Sequence, residues 1–335
     1  LRMSRGLGDV YKRQTQQFVD AAHATQEYKL TAVYSRTIEK AKKFGEPNGA
    51  TIFLDDLETF FANDDIDAVY IASPNSLHFE QAKLAIEHDK SVIVEKPIVS
   101  NIKQMETLRQ TLEQHPQSRL FEAARQIHQP NFKVVEDQIA KLGRVQGATL
   151  TYMKYSSRYD AVLAGKEPNV FSLKFAGGAL QDLGVYVAYY AVGWFGMPDD
   201  VTYYPSLEPT RVDGKGVAIL SYPEFDVTVN IGKTSNSYLP SEFYGLKDTI
   251  VMNNPADLET VSYHDAEGHE TLISEKVADN PMIDEAKDFA RVINNPQDKV
   301  NDQDYWKWLD LSQNVNKLLY NLRQSAKIVF PDDNQ

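Results

Sequence analysis

"VYIASPNSLHFEQAKLAIEHDKSVIVEKPIVSN", residues 69–101, reads as strand, loop, helix, strand and loop in succession. The stretch "IDAVYIASP" from Ile66 carries an unbroken apolar run, the pattern of a strand buried on both faces of a parallel sheet. "NSLHFEQAKLAIEHDK" has helical spacing, and "SVIVEKP" is a second apolar strand. A helix between two such strands is a βαβ unit. Ligands of doubly wound sheets bind at the carboxyl ends of the strands. "SPNSLH" and "EKP" lie at those ends and are the first candidates for a site.

The same alternation extends towards the N-terminus. "TQQFVDAAHA" from Thr15 is helical, "YKLTAVYS" from Tyr28 is a strand, "TIEKAKKFG" is a helix closed by Gly45, and "TIFLDDLETFFAND" gives a short strand and helix. From about Gly143 the pattern changes to alternating strands such as "RVQGATLTYMKYS", "GKGVAILSY" and "SEFYGLKDTIVMN". In "FDVTVNI", Phe225, Val227, Val229 and Ile231 share one face while Asp226, Thr228 and Asn230 share the other. Helices are predicted around "GALQDLGVYVAYYAVGWFG", "NPMIDEAKDFARVINN" and "DYWKWLDLSQNVNKLLYNLRQSA". The fold class is therefore α/β: an N-terminal doubly wound parallel sheet, then a C-terminal α+β domain with a mostly antiparallel open sheet. The two domains are expected to meet near residues 120–130.

Composition narrows the function. The 335 residues suffice for about two domains, and 42% are hydrophobic, which excludes a disordered chain. Lys plus Arg total 35 against 47 acidic residues, a net charge of −12, so nucleic acid and anionic membranes are not expected partners. The absence of cysteine removes thiolate catalysis, disulfides and Cys-ligated zinc. The longest apolar stretch, "VYVAYYAVGWFGM" from Val185, is too short for a bilayer span. The N-terminus lacks a signal-peptide apolar segment. A cytoplasmic protein acting on a small neutral molecule is expected. No metal site is anticipated, because no His and carboxylate cluster at ligand spacing and no Ser-His-Asp set stands out.

The strand, the PNxxH turn at Pro74–His78 and the "EKP" of Glu95, Lys96 and Pro97 resemble the signature of the Gfo/Idh/MocA oxidoreductases, and "GGALQDLGVY" resembles that family's second motif. The element order agrees over roughly residues 15–330. The resemblance implies a Rossmann domain binding NADP or NAD over residues 15–125. It also implies a substrate and oligomerisation domain over 126–335, forming a homodimer or homotetramer through its sheet. The implied reaction is hydride transfer at a hydroxyl or carbonyl carbon of a sugar, polyol or related diol. A non-catalytic dinucleotide sensor of the same fold is the alternative.

The N-terminus departs from the family. Where a strand and GxGxxG are required, the chain has "LRMSRGLGDVYKRQ", with Gly6 and Gly8 but Tyr11 at the third position. "DVYKRQ" is a translation of GATGTGTATAAGAGACAG, which resembles the transposon end used in DNA library preparation. Residues 1–14 are accordingly read as non-native, with the first strand and glycine loop replaced, Gly6 and Gly8 without a role and cofactor binding weakened.

Within the second motif, Asp182 and Tyr186 stand four apart on a predicted helix and share a face. A tyrosine can transfer a proton where a lysine cation and a helix N-terminus favour its phenolate. The resemblance implies Tyr186 as general acid/base, Lys96 beside the nicotinamide tuning it, and Asp182 supporting Lys96. The bland alternative is a core tyrosine beside Tyr189 and Tyr190. Ser35, Arg36 and Thr37 end the second strand without a carboxylate, which favours NADP, because NAD sites place an acid on the ribose there. Ser73, Pro74, Asn75, His78, Glu95, Lys96 and Pro97 are the remaining cofactor candidates. Pro97 is a candidate for a cis bond, and His78 has a packing role as its alternative. Arg125, His128, Lys154 and Tyr155 are candidates for the substrate pocket, against the alternative of solvated strand ends.

Overall fold

In the computed structural model, which describes residues 2–7 and 12–334, the apolar runs at Ala68–Ala72 and Ser91–Glu95 are buried at every position. They sit inside a six-stranded parallel sheet. Its elements in chain order are β1 (Arg2–Leu7), α1 (Lys12–Thr25), β2 (Lys29–Tyr34), α2 (Ile38–Gly45), β3 (Ile52–Leu54), α3 (Leu57–Phe61), β4 (Ala68–Ala72), α4 (His78–Glu87), β5 (Ser91–Glu95), α5 (Ile102–Gln114) and β6 (Leu120–Ala123). The strand order β3-β2-β1-β4-β5-β6 reverses direction between β1 and β4. Such a reversal is the switch point at which doubly wound sheets open a crevice.

Strand β1 corrects one part of the reading of the N-terminus, the missing first strand. Its backbone pairs in parallel with both neighbours, with Gly6 opposite Tyr34 of β2 and Ile71 of β4. A ladder is made by backbone groups, and a gap between two buried strands would leave N–H and C=O groups without partners. Any extended segment that reaches the gap satisfies them, so the weak apolar pattern of Arg2–Leu7 does not prevent a central strand. Helix α1 starts at Lys12, ahead of the expected Thr15. Gly8 and Tyr11 of the glycine pattern lie outside the described residues.

The chain forms two units, Leu1–Ala123 with Met282–Gln313 and Ala124–Pro281 with Asn314–Gln335. The break at 123/124 lies close to the expected 125/126, but Met282–Gln313 belongs with the first unit rather than the second. Aromatic packing accounts for this correction. Helix α9 (Ile283–Asn294) stacks Phe289 on Phe121 of β6 with centroids 4.6 Å apart, and its Ala286 carbonyl accepts the Tyr28 hydroxyl at 2.8 Å. Tyr305, at the start of α10 (Lys299–Ser325), is edge-on to Phe121 at 5.5 Å.

The second unit contains α6 (Pro130–Ile139), β7 (Gly147–Met153), α7 (Tyr159–Leu163), a π turn (Leu180–Gly184) leading into α8 (Val185–Phe195), and seven further strands. These are β8 (Asp200–Leu207), β9 (Asp213–Ser221), β10 (Asp226–Gly232), β11 (Ser241–Tyr244), β12 (Thr249–Met252), β13 (Val261–His264) and β14 (Glu270–Leu272). The sheet order is β14-β13-β12-β11-β7-β10-β9-β8, antiparallel except for the β7–β10 pair. Val227, Val229 and Ile231 are buried as the alternation requires, while Asp226, Thr228 and Asn230 are not. Strand β8 escaped the sequence reading because it contains Pro205, which a strand tolerates at a sheet edge, where β8 lies.

Candidate active site

In the first unit, three strand ends carry the predicted cofactor residues. After β2, Ser35 is buried and Arg36 is exposed, while Thr37 caps α2 by accepting the Lys40 N–H at 3.4 Å. After β4, Ser73 is buried and its hydroxyl has no hydrogen-bond partner among the described residues, whereas Pro74 and Asn75 are half-buried. A buried hydroxyl left unpaired is costly unless a ligand or water meets it. After β5, Lys96 is 9% exposed and its peptide bond to Pro97 is cis.

Buried His78 ties two of these loops together. Its Nδ1 lies 2.9 Å from the Pro97 carbonyl and its Nε2 lies 2.8 Å from the Ser73 carbonyl. Burial pushes its pKa down, against the pull of the two carbonyls, and a neutral ring donates to only one of them. His78 therefore braces the Ser73 and Pro97 turns against each other. Glu95 is buried and accepts the Tyr70 hydroxyl, and Tyr70 stacks on Phe18 of α1 at 4.1 Å. The turn after β5 is held by a residue the sequence reading missed: Glu122 accepts the Ile98 N–H at 3.1 Å and also the Ser312 hydroxyl. A switch point flanked by a buried, unpaired Ser73 hydroxyl and a buried lysine fits a dinucleotide.

In the second unit the GGALQDLGVY stretch is a π turn running into α8, the kind of local widening that occurs often at functional sites. Gly178 has φ +125°, and a Cβ there would stand 2.1 Å from Asp213 Oδ1. Asp213 is buried and uses Oδ2 to accept the Leu180 N–H and the Tyr203 hydroxyl, both at 2.7 Å. It thereby fixes the start of the turn, and burial pushes its pKa up to about 6. At Gly184 an added Cβ would meet Ile231 Cδ1 at 3.1 Å, so the turn packs closely on the apolar face of β10.

Tyr186 is 6% exposed. Its ring takes the Tyr152 ring edge-on at 5.4 Å, and the Arg125 guanidinium lies 5.9 Å from its centroid. Arg125 also ion-pairs with Asp257 at 2.7 Å. The structure thus brings together Tyr186 and Arg125 of the predicted set and adds Tyr152 and Asp257. Tyr152 was legible in principle, because Ala148, Leu150 and Tyr152 alternate onto the face shared by Ile231, its register partner. Asp182 pairs with Lys233 at 2.7 Å, a lysine the sequence reading did not single out. Lys154 and Tyr155 are exposed, and the Tyr155 hydroxyl donates to Asp160 at 2.6 Å. The half-buried His128 follows a short turn, its N–H donating to the Arg125 carbonyl at 3.2 Å. Asp265, Glu267 and His269 converge at the β13–β14 turn, where Asp265 is occupied by the Glu267 and His269 N–H groups.

Comparison with known proteins decides the class. The profile of an oxidoreductase family described as having an NAD-binding Rossmann fold matches residues 6–122. The chain is 36% identical over 319 residues to a scyllo-inositol 2-dehydrogenase (NADP(+)) of Bacillus subtilis, covering 95% of this chain and 96% of that one. The chain belongs to the Gfo/Idh/MocA oxidoreductase family. An uncharacterised oxidoreductase of Escherichia coli is 35% identical over 95% of both chains. In fold, this family member is similar to KijD10, a 3-ketoreductase of Actinomadura kijaniata solved with NADP and TDP-benzene, at TM-score 0.83, 21% identity and 97% coverage of both chains. Membership makes the chain a nicotinamide-dependent oxidoreductase and sets aside the non-catalytic sensor. No described helix is long and apolar enough to cross a membrane.

Proposed function

We propose that this oxidoreductase is an NADP-preferring dehydrogenase of a polyol, sugar or related diol, with Tyr186 moving the proton at the reacting oxygen. The observation that carries this reading is the placing of Tyr186: a buried phenol one turn after Asp182, with the Arg125 guanidinium beside its ring. When bound, the nicotinamide supplies or accepts the hydride. Oxidation of a substrate hydroxyl releases a proton, and a phenolate within hydrogen-bond reach takes it; reduction of a carbonyl reverses the transfer. Lys96 is read as the charge that orients the reacting oxygen, and Asp182, paired with Lys233, as the carboxylate next to Tyr186.

Ser35, Ser73 and the turn at Lys96 hold the cofactor in this reading, with Asn75 and Glu95 lining its path. Arg36 stands at the end of β2, where NAD sites place an acid on the ribose, and an arginine there favours the 2′-phosphate of NADP. The scyllo-inositol relative supports a polyhydroxylated substrate. Tyr204 and Val217, paired directly across β8 and β9 and both exposed, support self-association through the open sheet of a cytoplasmic homo-oligomer.

The test is a panel of inositols, sugars and diols offered with NADP+ and with NAD+, followed by the absorbance of the reduced nicotinamide. Turnover of at least one polyol or sugar, faster with NADP+, is expected. Absence of reduced cofactor with every compound and both cofactors would overturn the reading.

A further inference from the structure

Lys233 follows the last residue of β10 and is 1% exposed. Its backbone is pinned on both sides, the N–H donating to Gly214 O and the carbonyl accepting the Ser156 N–H, each at 2.8 Å. The ammonium donates to the Val170 carbonyl at 2.9 Å and to Asp182 Oδ2 at 2.7 Å, and it lies 4.5 Å from the centroid of the Phe171 ring. It is therefore held by three groups in a fixed direction.

The partner is not buried to the same degree. Asp182 keeps 35% of its side-chain surface exposed, and it sits on the π turn that leads into the helix bearing Tyr186. A buried ion pair is a poor way to gain stability, since well-packed apolar residues of similar volume serve as well or better. A fully buried cation reaching a half-exposed carboxylate one turn from the proposed proton donor has a different use. We propose that Lys233 is a positioning residue for the hydride-transfer reaction: it fixes the Asp182 carboxylate by one oxygen, as an anion, and so sets the direction in which the rest of Asp182 faces the reacting groups. Lys233 touches neither substrate nor cofactor and acts through Asp182. The proposal rests on the reading of Asp182 and Tyr186 given above.

Lys233→Met keeps the length of the stem and removes the charge and the donors; Lys233→Arg restores a cation. With the full chain, Lys233→Met is expected to lower kcat by roughly 10–100-fold, the size of a misplaced catalytic group. The KM and the fluorescence-measured Kd for NADP should stay within about twofold, and Lys233→Arg should recover part of the lost kcat. Without cofactor, the Tm losses of Lys233→Met and Asp182→Asn should be non-additive, as contacting residues are. A Lys233→Met enzyme with wild-type kcat and a lowered Tm would make the lysine purely structural and overturn the proposal. So would loss of the folded state in both Lys233→Met and Lys233→Gln. Tyr186→Phe, measured alongside, separates the two readings. Wild-type turnover there removes the proton-donor reading itself; lost turnover there with unchanged Lys233→Met kcat removes only the role of Lys233.

Discussion

The ring of Tyr152 stands perpendicular to that of Tyr186, at an interplanar angle of 87° and a centroid distance of 5.4 Å. With the Arg125 guanidinium, it fixes the phenol from the ring side. Tyr186→Phe preserves the ring and both contacts and deletes only the hydroxyl. The turnover number is expected to fall by about 10²–10⁴, the usual contribution of a positioned acid/base, with Tm and cofactor Kd little changed. If steady-state assays of a folded Tyr186→Phe enzyme gave near-wild-type turnover, the phenol would be a core tyrosine and nothing more.

Cofactor choice is proposed to turn on Arg36. It is exposed at the end of β2 beside buried Ser35, the place where NAD enzymes put a carboxylate on the ribose. A charge-assisted contact to phosphate is worth about 1.5–3 kcal/mol. Arg36→Ala should therefore raise the KM for NADP by roughly 10–100-fold and leave that for NAD nearly unchanged. Equal changes in both constants would count against the assignment.

Strand β1 supplies the strand that a glycine fingerprint requires, and the pattern then reads Gly6, Gly8 and Tyr11. The third glycine of that fingerprint allows close helix–strand packing. Tyr11→Gly completes the pattern and should tighten NADP binding by about tenfold, or ~1.4 kcal/mol, in a fluorescence titration. An unchanged Kd would show that position 11 does not limit binding.

The parallel sheet was legible because β4 and the Val92–Val94 centre of β5 are apolar runs, and the second sheet because Val227, Val229 and Ile231 alternate. What stayed hidden depends on partners far along the chain. Arg2–Leu7 has no strand pattern of its own and is recruited by the edges of β2 and β4. Phe289 and Tyr305 join the first unit because they pack on Phe121, a contact no local periodicity records. In the site, Asp182 and Tyr186 were visible as a spaced pair on one helix. Lys233 and Asp257 were not, because they meet Asp182 and Arg125 only after the chain has folded.

Asp213 gives the fold a pH dependence of known sign. Its carboxyl is buried, anchors the Leu180 N–H at the start of the π turn, and has its pKa raised by burial from 3.8 to about 6. The folded state thus holds this proton more tightly than the unfolded chain. Its contribution to stability is fully present below the unfolded value and is lost as pH rises through the folded one, between about 4 and 6. At 1.36 kcal/mol per pKa unit, the loss is on the order of 3 kcal/mol. His78 acts in the opposite sense, because burial lowers its pKa. Its contribution is present above the ordinary histidine value of about 6.5 and fades as pH falls below it. Comparing wild type with Asp213→Asn by chemical denaturation cancels the His78 part, which both proteins share. The stability advantage of wild type over Asp213→Asn should therefore be larger near pH 4 than near pH 7, by on the order of 3 kcal/mol. A difference that stays constant across this range would mean that Asp213 titrates alike in the folded and unfolded chains, and the buried carboxyl would then have no part in setting the pH dependence of the motif turn.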